Sequence, residues 1–313
     1  MTFIHMSESW LEFWLFNVFI IILLLLDLGL FQKKSHEIKM KEALIMSSIW
    51  ISIALLFNVY VFYAHGSTKA MEFFTGFIIE KSLSVDNLFV FLTIFSFFAV
   101  PKAFQQKVLF WGIIIAMVLR GIFIFAGISL IERFSWLIYI FGAFLVYTGI
   151  KIYAHKNKVK VPGESMFILF IQKVLPFSKN YDTDKFTTKE NGKSLFTKLF
   201  LVFIVINFVD VIFAFDSIPA IFSITLDPFI VYSSNIFAIL GLRALYFVLA
   251  GAADSFHYIN HALAVILVFV GGKMLLADVI KIDSFISLLF IALVLTIAIL
   301  ASVGRNKRIN KKS

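Results

Sequence analysis

The chain has 313 residues, of which 61% are hydrophobic and only 15% are charged. A soluble domain is closer to half apolar and about a quarter charged, so this composition excludes an ordinary globular enzyme and predicts repeated transmembrane helices. The net charge of +9 is expected to lie in loops and tail, where it orients the chain in a bilayer, and no nucleic-acid partner is expected. The chain has no Cys, which excludes a disulfide, a thiolate metal site and thiol redox chemistry within it.

Taken in chain order, the apolar runs predict an all-α, polytopic membrane protein with about nine transmembrane helices. The predicted spans are roughly 10–31, 43–64, 72–99, 106–126, 128–154, 197–222, 229–250, 258–277 and 284–303. The first run is long enough to span the bilayer and no basic region precedes it, so we expect no cleavable signal peptide.

Lys and Arg are divided unequally between the two sides of the membrane. The loops after odd-numbered spans, together with the tail, hold 20 basic residues, whereas the opposite loops hold only Lys69 and Lys281. This asymmetry predicts an inner (cytoplasmic) membrane protein with its N-terminus outside and its C-terminus in the cytoplasm. The long loop 155–196 would be cytoplasmic, and its stretch Ser165–Leu175 is either an interfacial segment or part of a flexible linker.

Two segments repeat the same order of polar residues. The matching landmarks are Glu80, Asp86, Arg120 and Lys151 in the first copy and Asp210, Asp216, Arg243 and Lys273 in the second. Because each copy covers three helices, the second copy enters the membrane from the opposite face. This arrangement predicts an inverted three-helix repeat with a site near the midplane, as in many secondary transporters. The alternative is chance similarity between two apolar segments.

The repeat predicts five regions along the chain. They are two N-terminal transmembrane helices (1–70), the first three-helix repeat (71–154), a cytoplasmic loop (155–196), the second, inverted repeat (197–277), and a last helix with a basic cytoplasmic tail (278–313).

Several charged residues fall inside predicted spans, where a charge costs about 2.5–3.5 kcal/mol on insertion scales. They are Glu80, Lys81, Asp86, Asp210 and Asp216, with Asp27 near the end of the first span. Such groups persist when they pair with each other, face a wet cavity or bind a ligand. Internal salt bridges, such as Asp86 or Asp216 with Arg120 or Arg243, are therefore the structural alternative to an ion site.

Helix geometry predicts two shared polar faces, one formed by Glu80, Ser84 and Asn87 and the other by Asn207, Asp210 and Ser217. Asp86 and Asp216 point away from the other acid of their pair in a regular helix. One centre would collect both carboxylates of a pair only where the helix is unwound. Pro219 gives a reason for unwinding in the second copy, because it leaves the carbonyl of Phe215 without a helical donor.

The candidate ligands are carboxylate, amide and hydroxyl oxygens, a set that suits Mg²⁺, Ca²⁺ or Mn²⁺. The predicted metal residues are Glu80, Asp86, Asn87, Asp210, Asp216 and Ser217. Residues predicted to support them, through ion pairs or a proton path, are Asp27, Lys81, Ser84, Arg120, Asn207, Arg243 and Lys273. We expect neither an enzyme nor a tightly bound cofactor, and a proton gradient or the membrane potential would drive transport.

Four long motifs carry a family resemblance. They are FIIEKSLSVDNLFVF at 77–91, VLRGIFIFAG at 118–127, DVIFAFDSIPAIFSIT at 210–225 and DPFIVYSSNIFAILGLRALYF at 227–247. In these motifs the chain resembles the TerC family of bacterial membrane proteins, which is grouped with the LysE-type transporters. The family is associated by name with tellurium resistance. The resemblance implies manganese export, as in some members, or support of metalation and membrane-protein assembly, as in others.

Two functions therefore follow as hypotheses. The first is a secondary transporter that exports divalent cations, Mn²⁺ foremost, by alternating access at the intramembrane carboxylates, with protons as a candidate coupling ion. The second is a membrane scaffold that helps to metalate or insert other membrane and exported proteins, with the 155–196 loop as its docking surface. Direct tellurite handling is disfavoured, because reducing tellurite usually needs thiols or a redox cofactor.

Overall fold

The computed structural model describes residues 2–31, 38–154, 171, 173–178, 185–190, 193–252, 258–276, 278, 279, 282 and 284–310. The side chains of Asp86 and Asp216, most of the stretch Ser165–Leu175 and the last residues of the tail lie outside this description. The chain divides into two compact units, Met1–Glu37 and Ile38–Ser313, and each is described here by itself.

The described residues form ten α-helices and one short β-hairpin. The N-terminal unit contains α1 (Thr2–Phe31). The second unit contains α2 (Met40–His65), α3 (Ser67–Phe97), α4 (Lys102–Arg133), α5 (Leu137–Ala154), β1 (Thr187–Glu190), β2 (Lys193–Phe196), α6 (Lys198–Phe222), α7 (Pro228–Leu240), α8 (Leu242–Ala252), α9 (Ile259–Leu275) and α10 (Ser284–Asn310). The expectation of a mostly helical protein is confirmed, and the antiparallel hairpin is a small addition that no periodicity signal had indicated.

Six stretches of the described chain are long and apolar enough to cross a membrane. They are Met40–His65, Lys102–Arg133, Leu137–Ala154, Lys198–Phe222, Pro228–Ala250 and Phe285–Arg305. On α10, Leu289, Leu293, Ile297 and Leu300 recur every three or four residues and are each more than half exposed. Such a stripe is costly in water and favourable against lipid tails. The polytopic membrane protein is thus confirmed, and the count of nine spans remains a prediction.

The predicted span 229–250 is interrupted. Helix α7 ends at Leu240 and α8 begins at Leu242, with Gly241 between them. The backbone N–H of Gly241 donates to the carbonyl of Ile239 instead of continuing the α-helical pattern. Pro219, in contrast, does not unwind the helix that contains it, because α6 stays helical for three more residues and ends at Phe222.

Helices α5 and α9 cross at small residues. A Cβ placed on Gly142 would lie 2.9 Å from the carbonyl oxygen of Gly271, and one on Gly149 would lie 2.7 Å from the carbonyl oxygen of Ala264. The backbones can approach this closely only because these positions lack larger side chains. Along α5 from residue 142 to 149 the facing residue on α9 runs backwards, from 271 to 264, so the two helices are antiparallel.

The remaining helices of the second unit pack mainly in pairs. Helix α3 packs against α7, α4 packs against α6, and α2 lies against α3 and α8. An apolar core joins α3, α5, α6, α9 and α10, with Ile79, Leu145, Ile266 and Ile291 fully buried in it. These contacts bring the middle of α3, α4, α6 and α7 together around one region of the bundle.

Side chains cap the starts of α6 and α7. The hydroxyl of Thr197 accepts from the N–H of Phe200, and the Asp227 carboxylate accepts from the N–H of Phe229 at 3.1 Å. The same carboxylate pairs with Lys69, in the first turn of α3, at 3.1 Å. Burial lowers the pKa of Lys69, but its hydrogen bonds to Asp227 and Glu72 outweigh that effect and leave the pKa raised. The ion pair therefore ties the start of α3 to the start of α7.

Candidate functional site

A single arginine lies at the centre of a buried polar cluster. Arg120, on α4, is fully buried, and its Nη1 donates to the carboxylate of Glu80 on α3. Its Nη2 donates to Oδ1 of Asp210 on α6 at 3.2 Å, and its Nε lies 3.5 Å from Oδ2 of the same carboxylate. Nη1 also reaches the hydroxyl of Ser217 at 3.2 Å. One guanidinium thus binds acidic residues from both copies of the sequence repeat.

The cluster is completed by Asn235 on α7, which sequence reasoning had missed. Its Nδ2 donates to Oε2 of Glu80 at 3.2 Å, and its Oδ1 accepts from Nη1 of Arg120 at 3.3 Å. Asn235 is fully buried. The available signal was an amide in the middle of a predicted span, where an uncharged polar side chain also needs a partner.

The cluster carries more negative than positive charge when both acids are ionised, because the guanidinium stays protonated and contributes a single positive charge. The Glu80 side chain of the Glu80–Arg120–Asp210 triad is fully buried, and the Asp210 side chain is 8% exposed. Because the protein interior solvates charges poorly, each charge depends on its direct partners for stabilisation. The arrangement therefore holds two carboxylates close together with their repulsion offset by one cation.

Lys81 turns away from this cluster. Its Nζ donates to the carbonyl of Ala238 at 2.8 Å and lies 5.8 Å from the centre of the Phe77 ring. Ala238 is in the last turn of α7, just before the interruption at Gly241. The ammonium thus satisfies a carbonyl at the C-terminal end of a helix, where a positive charge is favourable.

A small cavity adjoins the cluster on the Asp210 side. Its free volume is about 20 Å³, and its polar lining comes from Asn207, Asp210 and Arg243. Gly112 also lines it, and a Cβ on that residue would lie 3.9 Å from Nδ2 of Asn207. Asn207 and Asp210, one turn apart on α6, therefore do share a face, as the helical repeat predicts.

The other predicted residues are spread more widely. Ser84 and Asn87 are buried on α3, and within the described part of the chain the hydroxyl of Ser84 has no hydrogen-bond partner. Arg243 is buried with its guanidinium 5.9 Å from the Phe110 ring. Lys273 donates to the hydroxyl of Ser287 on α10 at 3.0 Å. Asp27 belongs to α1, in the separate N-terminal unit.

Internal salt bridging is present for Glu80 and Asp210, which both pair with Arg120. The side chains of Asp86 and Asp216 lie outside the described part of the chain, so their pairing with Arg120 or Arg243 stays a prediction. Among the residues that the structure describes, no three His, Asp or Glu side chains form a group suited to a metal ion. The oxygens of Glu80, Asp210, Ser217 and Asn235 are the chemistry that a hard divalent cation prefers. In this conformation, Arg120 provides the positive charge among them.

Comparison with known proteins places the chain among bacterial membrane proteins. It is 47% identical over 292 residues to "Uncharacterized membrane protein STKORF319" of Myxococcus xanthus, covering 93% of this chain and 92% of the relative. It is 44% identical over 306 residues to "Putative membrane-bound redox modulator Alx" of Salmonella typhi, covering 95% of each chain. The protein of the same name from Escherichia coli K12 is 45% identical over 301 residues, or 92% of this chain and 94% of the relative.

No solved structure matches the chain. The family model "Integral membrane protein TerC family" matches residues 65–310, from the last residue of α2 to the end of α10. That range contains the whole Glu80–Arg120–Asp210 cluster and both copies of the sequence repeat. The chain therefore belongs to the TerC family of integral membrane proteins.

Proposed function

We propose that the chain is a secondary transporter that exports a divalent metal cation, Mn²⁺ foremost, through the buried carboxylates of its two repeats. The observation that carries the proposal is the meeting of Glu80 and Asp210 at one guanidinium. Intramembrane acids that face the interior of a helical bundle usually mark an ion pathway. Here they come from matching positions of two sequence copies, which is where inverted-repeat transporters place their substrate.

Arg120 gives this site a way to couple cation binding to movement. A divalent cation bound between Glu80 and Asp210 would compete with the guanidinium for the same carboxylate oxygens. Because a permanently charged Arg120 cannot stay buried without a partner, metal binding would shift the bundle toward a conformation that houses the arginine elsewhere. The cation is the substrate of this cycle, and protons or the membrane potential would supply the driving force.

The α5–α9 crossing supports an inverted repeat as the moving framework. Gly149 and Gly271 each lie two residues before the Lys that ends their repeat, and Gly142 and Ala264 each lie seven residues earlier. If each residue is replaced by its counterpart in the other copy, the contact between Gly142 and Gly271 becomes the contact between Ala264 and Gly149, which the structure also contains. In the same way α3 corresponds to α6 and α4 to α7, so the α3–α7 pair becomes the α4–α6 pair. Two copies related by such an exchange would rock against each other in alternating access.

The name of the Alx relatives, "Putative membrane-bound redox modulator", fits the same proposal indirectly. This chain has no Cys and thus no thiol to oxidise or reduce. An influence on cellular redox state would come through the metal that it moves, since manganese ions serve redox enzymes, rather than through chemistry in the chain.

Transport into inverted membrane vesicles tests the proposal. Wild-type vesicles should take up Mn²⁺, whereas Glu80→Gln, Asp210→Asn and Asp216→Ala, which each remove one acidic charge, should lose about 10-fold or more of the initial rate. Val118→Ala, at an exposed position on α4, is the control and should transport like the wild type. Uptake that is equal in the acid variants and the wild type would overturn the assignment.

A further inference from the structure

Each residue of the Arg120 cluster has a counterpart at the same place in the other copy of the sequence repeat. The pairs of counterparts are Glu80 with Asp210, Arg120 with Arg243, Asn87 with Ser217, and Gly112 with Asn235. In both copies the third of these positions lies seven residues after the acid, and the fourth lies eight residues before the arginine. The spacing of the polar residues is therefore the same in the two copies, and the cluster can be compared with its own exchanged form.

This exchange changes the arginine of the cluster but keeps its acids. The observed contacts join Arg120 to both Glu80 and Asp210. The corresponding contacts in the exchanged form would join Arg243 to the same two carboxylates, because the two acids are each other's counterparts. Two inverted copies that trade places in alternating access would thus bring a second guanidinium to one unchanged acid pair.

Arg243 already lies on the Asp210 side of the acid pair. It is 2% exposed, and it lines a cavity of about 20 Å³ together with Asp210 and Gly112. On the Arg120 side the amide of Asn235 completes the cluster, whereas on the Arg243 side the counterpart of that amide is the glycine in the cavity wall. The Arg243 guanidinium has contacts of its own in this conformation and lies 5.9 Å from the Phe110 ring.

The interruption between α7 and α8 separates Arg243 from the rest of its copy. Gly241 lies between the two helices, so that Asn235 is on α7 and Arg243 is on the short helix α8 of 11 residues. The corresponding position of the first copy, Val118, lies inside the unbroken helix α4. Helix ends of this kind absorb the changes in backbone angle that accompany a conformational change. Helix α8 thus provides a segment that can carry Arg243 independently of α7.

We propose that Arg243 holds the Glu80–Asp210 pair while the empty transporter returns, so that the two arginines alternate on the same carboxylates. This inference rests on the proposed function, because it concerns the return step of a cation exporter. Two buried carboxylates without a metal ion need a positive charge beside them in every conformation. Arg120 supplies that charge in the conformation described, a bound divalent cation supplies it in the loaded transporter, and Arg243 supplies it in the opposite empty conformation.

Net transport and exchange separate this role of Arg243 from a merely structural one. Net uptake requires the carrier to return empty in each turnover. In exchange, with equal Mn²⁺ on both sides of the membrane, the carrier crosses loaded in both directions. Purified full-length protein in liposomes gives both rates with radioactive Mn²⁺, net uptake being driven by a Mn²⁺ gradient. Since both rates scale with the amount of folded protein, their ratio is unaffected by partial loss of folding in a variant.

Arg243→Gln should lower the ratio of net to exchange rate by about 10-fold or more, because the empty return would bury two carboxylates without a cation. Arg243→Lys keeps the charge but not the forked guanidinium, so it should lower the ratio less. The lysine variant also carries the test if Arg243→Gln does not fold. Arg133→Gln, at an exposed position in the last turn of α4, is the control and should keep the wild-type ratio.

The wild-type ratio in the Arg243 variants would overturn the inference, whether both rates stay intact or fall together. It would indicate that the acids return in a protonated, neutral form or that Arg243 only supports the fold. Exchange without net uptake in the wild-type protein would also overturn it, because no empty return would then take place. A wild-type protein that moves Mn²⁺ in neither mode would refute the proposed function, and the inference with it.

Discussion

At the scale of single residues, Arg120 decides the character of the site. It is the one guanidinium that the structure shows in contact with both Glu80 and Asp210. Removing it would leave two carboxylates close together in a medium that cannot solvate them, and they would repel each other as well. Removing one carboxylate, in contrast, leaves an intact pair.

This difference predicts an order of stabilities. Arg120→Met should destabilise the protein by about 3–5 kcal/mol, the usual cost of stranding a buried charge. Glu80→Gln should cost less than half as much, because Arg120 keeps Asp210 and the new amide can still accept a hydrogen bond. Thermal unfolding of the purified variants in detergent, followed by tryptophan fluorescence, measures both. Equal losses of stability, or the reverse order, would show that the arginine does not hold the cluster together.

The sequence could identify most of these residues but not their pairing. Charges in apolar spans are expensive, so Glu80, Asp210 and Arg120 stand out without a structure. Which acid meets Arg120 depends on the rotation of α3 and α6 in the bundle, and spacing along one chain does not define that rotation. Asn235 escaped notice for a related reason. An uncharged amide costs less in a span than a charge does, so its signal is weaker.

At the scale of helices, the α5–α9 crossing depends on a few missing side chains. Two adjacent glycines on α9 offer a controlled comparison. A Cβ on Gly271 would lie 2.6 Å from the carbonyl oxygen of Gly142, whereas a Cβ on Gly272 would have nothing within 4 Å. The carbonyl belongs to the backbone, so it cannot turn aside as a flexible side chain could.

Gly271→Ala should therefore force the helices apart and cost about 1–3 kcal/mol, as overpacked cores do. Gly272→Ala should be neutral or stabilise the protein by up to about 1 kcal/mol, because Ala favours a helix more than Gly does. The unfolding temperatures of the two single variants give the comparison. A Gly272→Ala variant as damaged as Gly271→Ala would point to helix bending rather than to the crossing.

Sequence reasoning placed the helices well and their interruptions poorly. Long apolar runs give the helices directly, since a span needs about 20 such residues. Pro219 looked like the site of a break, but α6 remains helical through it and ends at Phe222. The interruption falls instead at Gly241, where Lys81 on a neighbouring helix supplies a donor to the carbonyl of Ala238.

At the scale of the whole molecule, the charge distribution and the sequence repeat both bear on which side of the membrane each end of the chain lies. If the two copies are inverted, each contains an odd number of crossings. With one further crossing by α10, the turn before α3 and the C-terminal tail are then expected to face opposite sides of the membrane. For the nine predicted spans, the distribution of Lys and Arg independently predicts the same arrangement, with 20 basic residues in the loops after odd-numbered spans and the tail and two in the opposite loops. The repeat and the charge distribution thus predict the same arrangement, with these two ends on opposite sides of the membrane, and the charge distribution predicts which end is cytoplasmic.

Single cysteines in the Cys-free chain test this claim at both ends. Thr68→Cys, at an exposed position in the first turn of α3, should react with a membrane-impermeant maleimide on intact spheroplasts. Ser313→Cys, at the end of the basic tail, should react only after the membrane is permeabilised, because positively charged segments are retained in the cytoplasm. Labelling of both from the same side would require an even number of crossings between them. If α10 crosses once, the two copies together would then contain an odd number of crossings and could not be two inverted three-helix units, so alternating access by exchange of the copies would lose its structural basis.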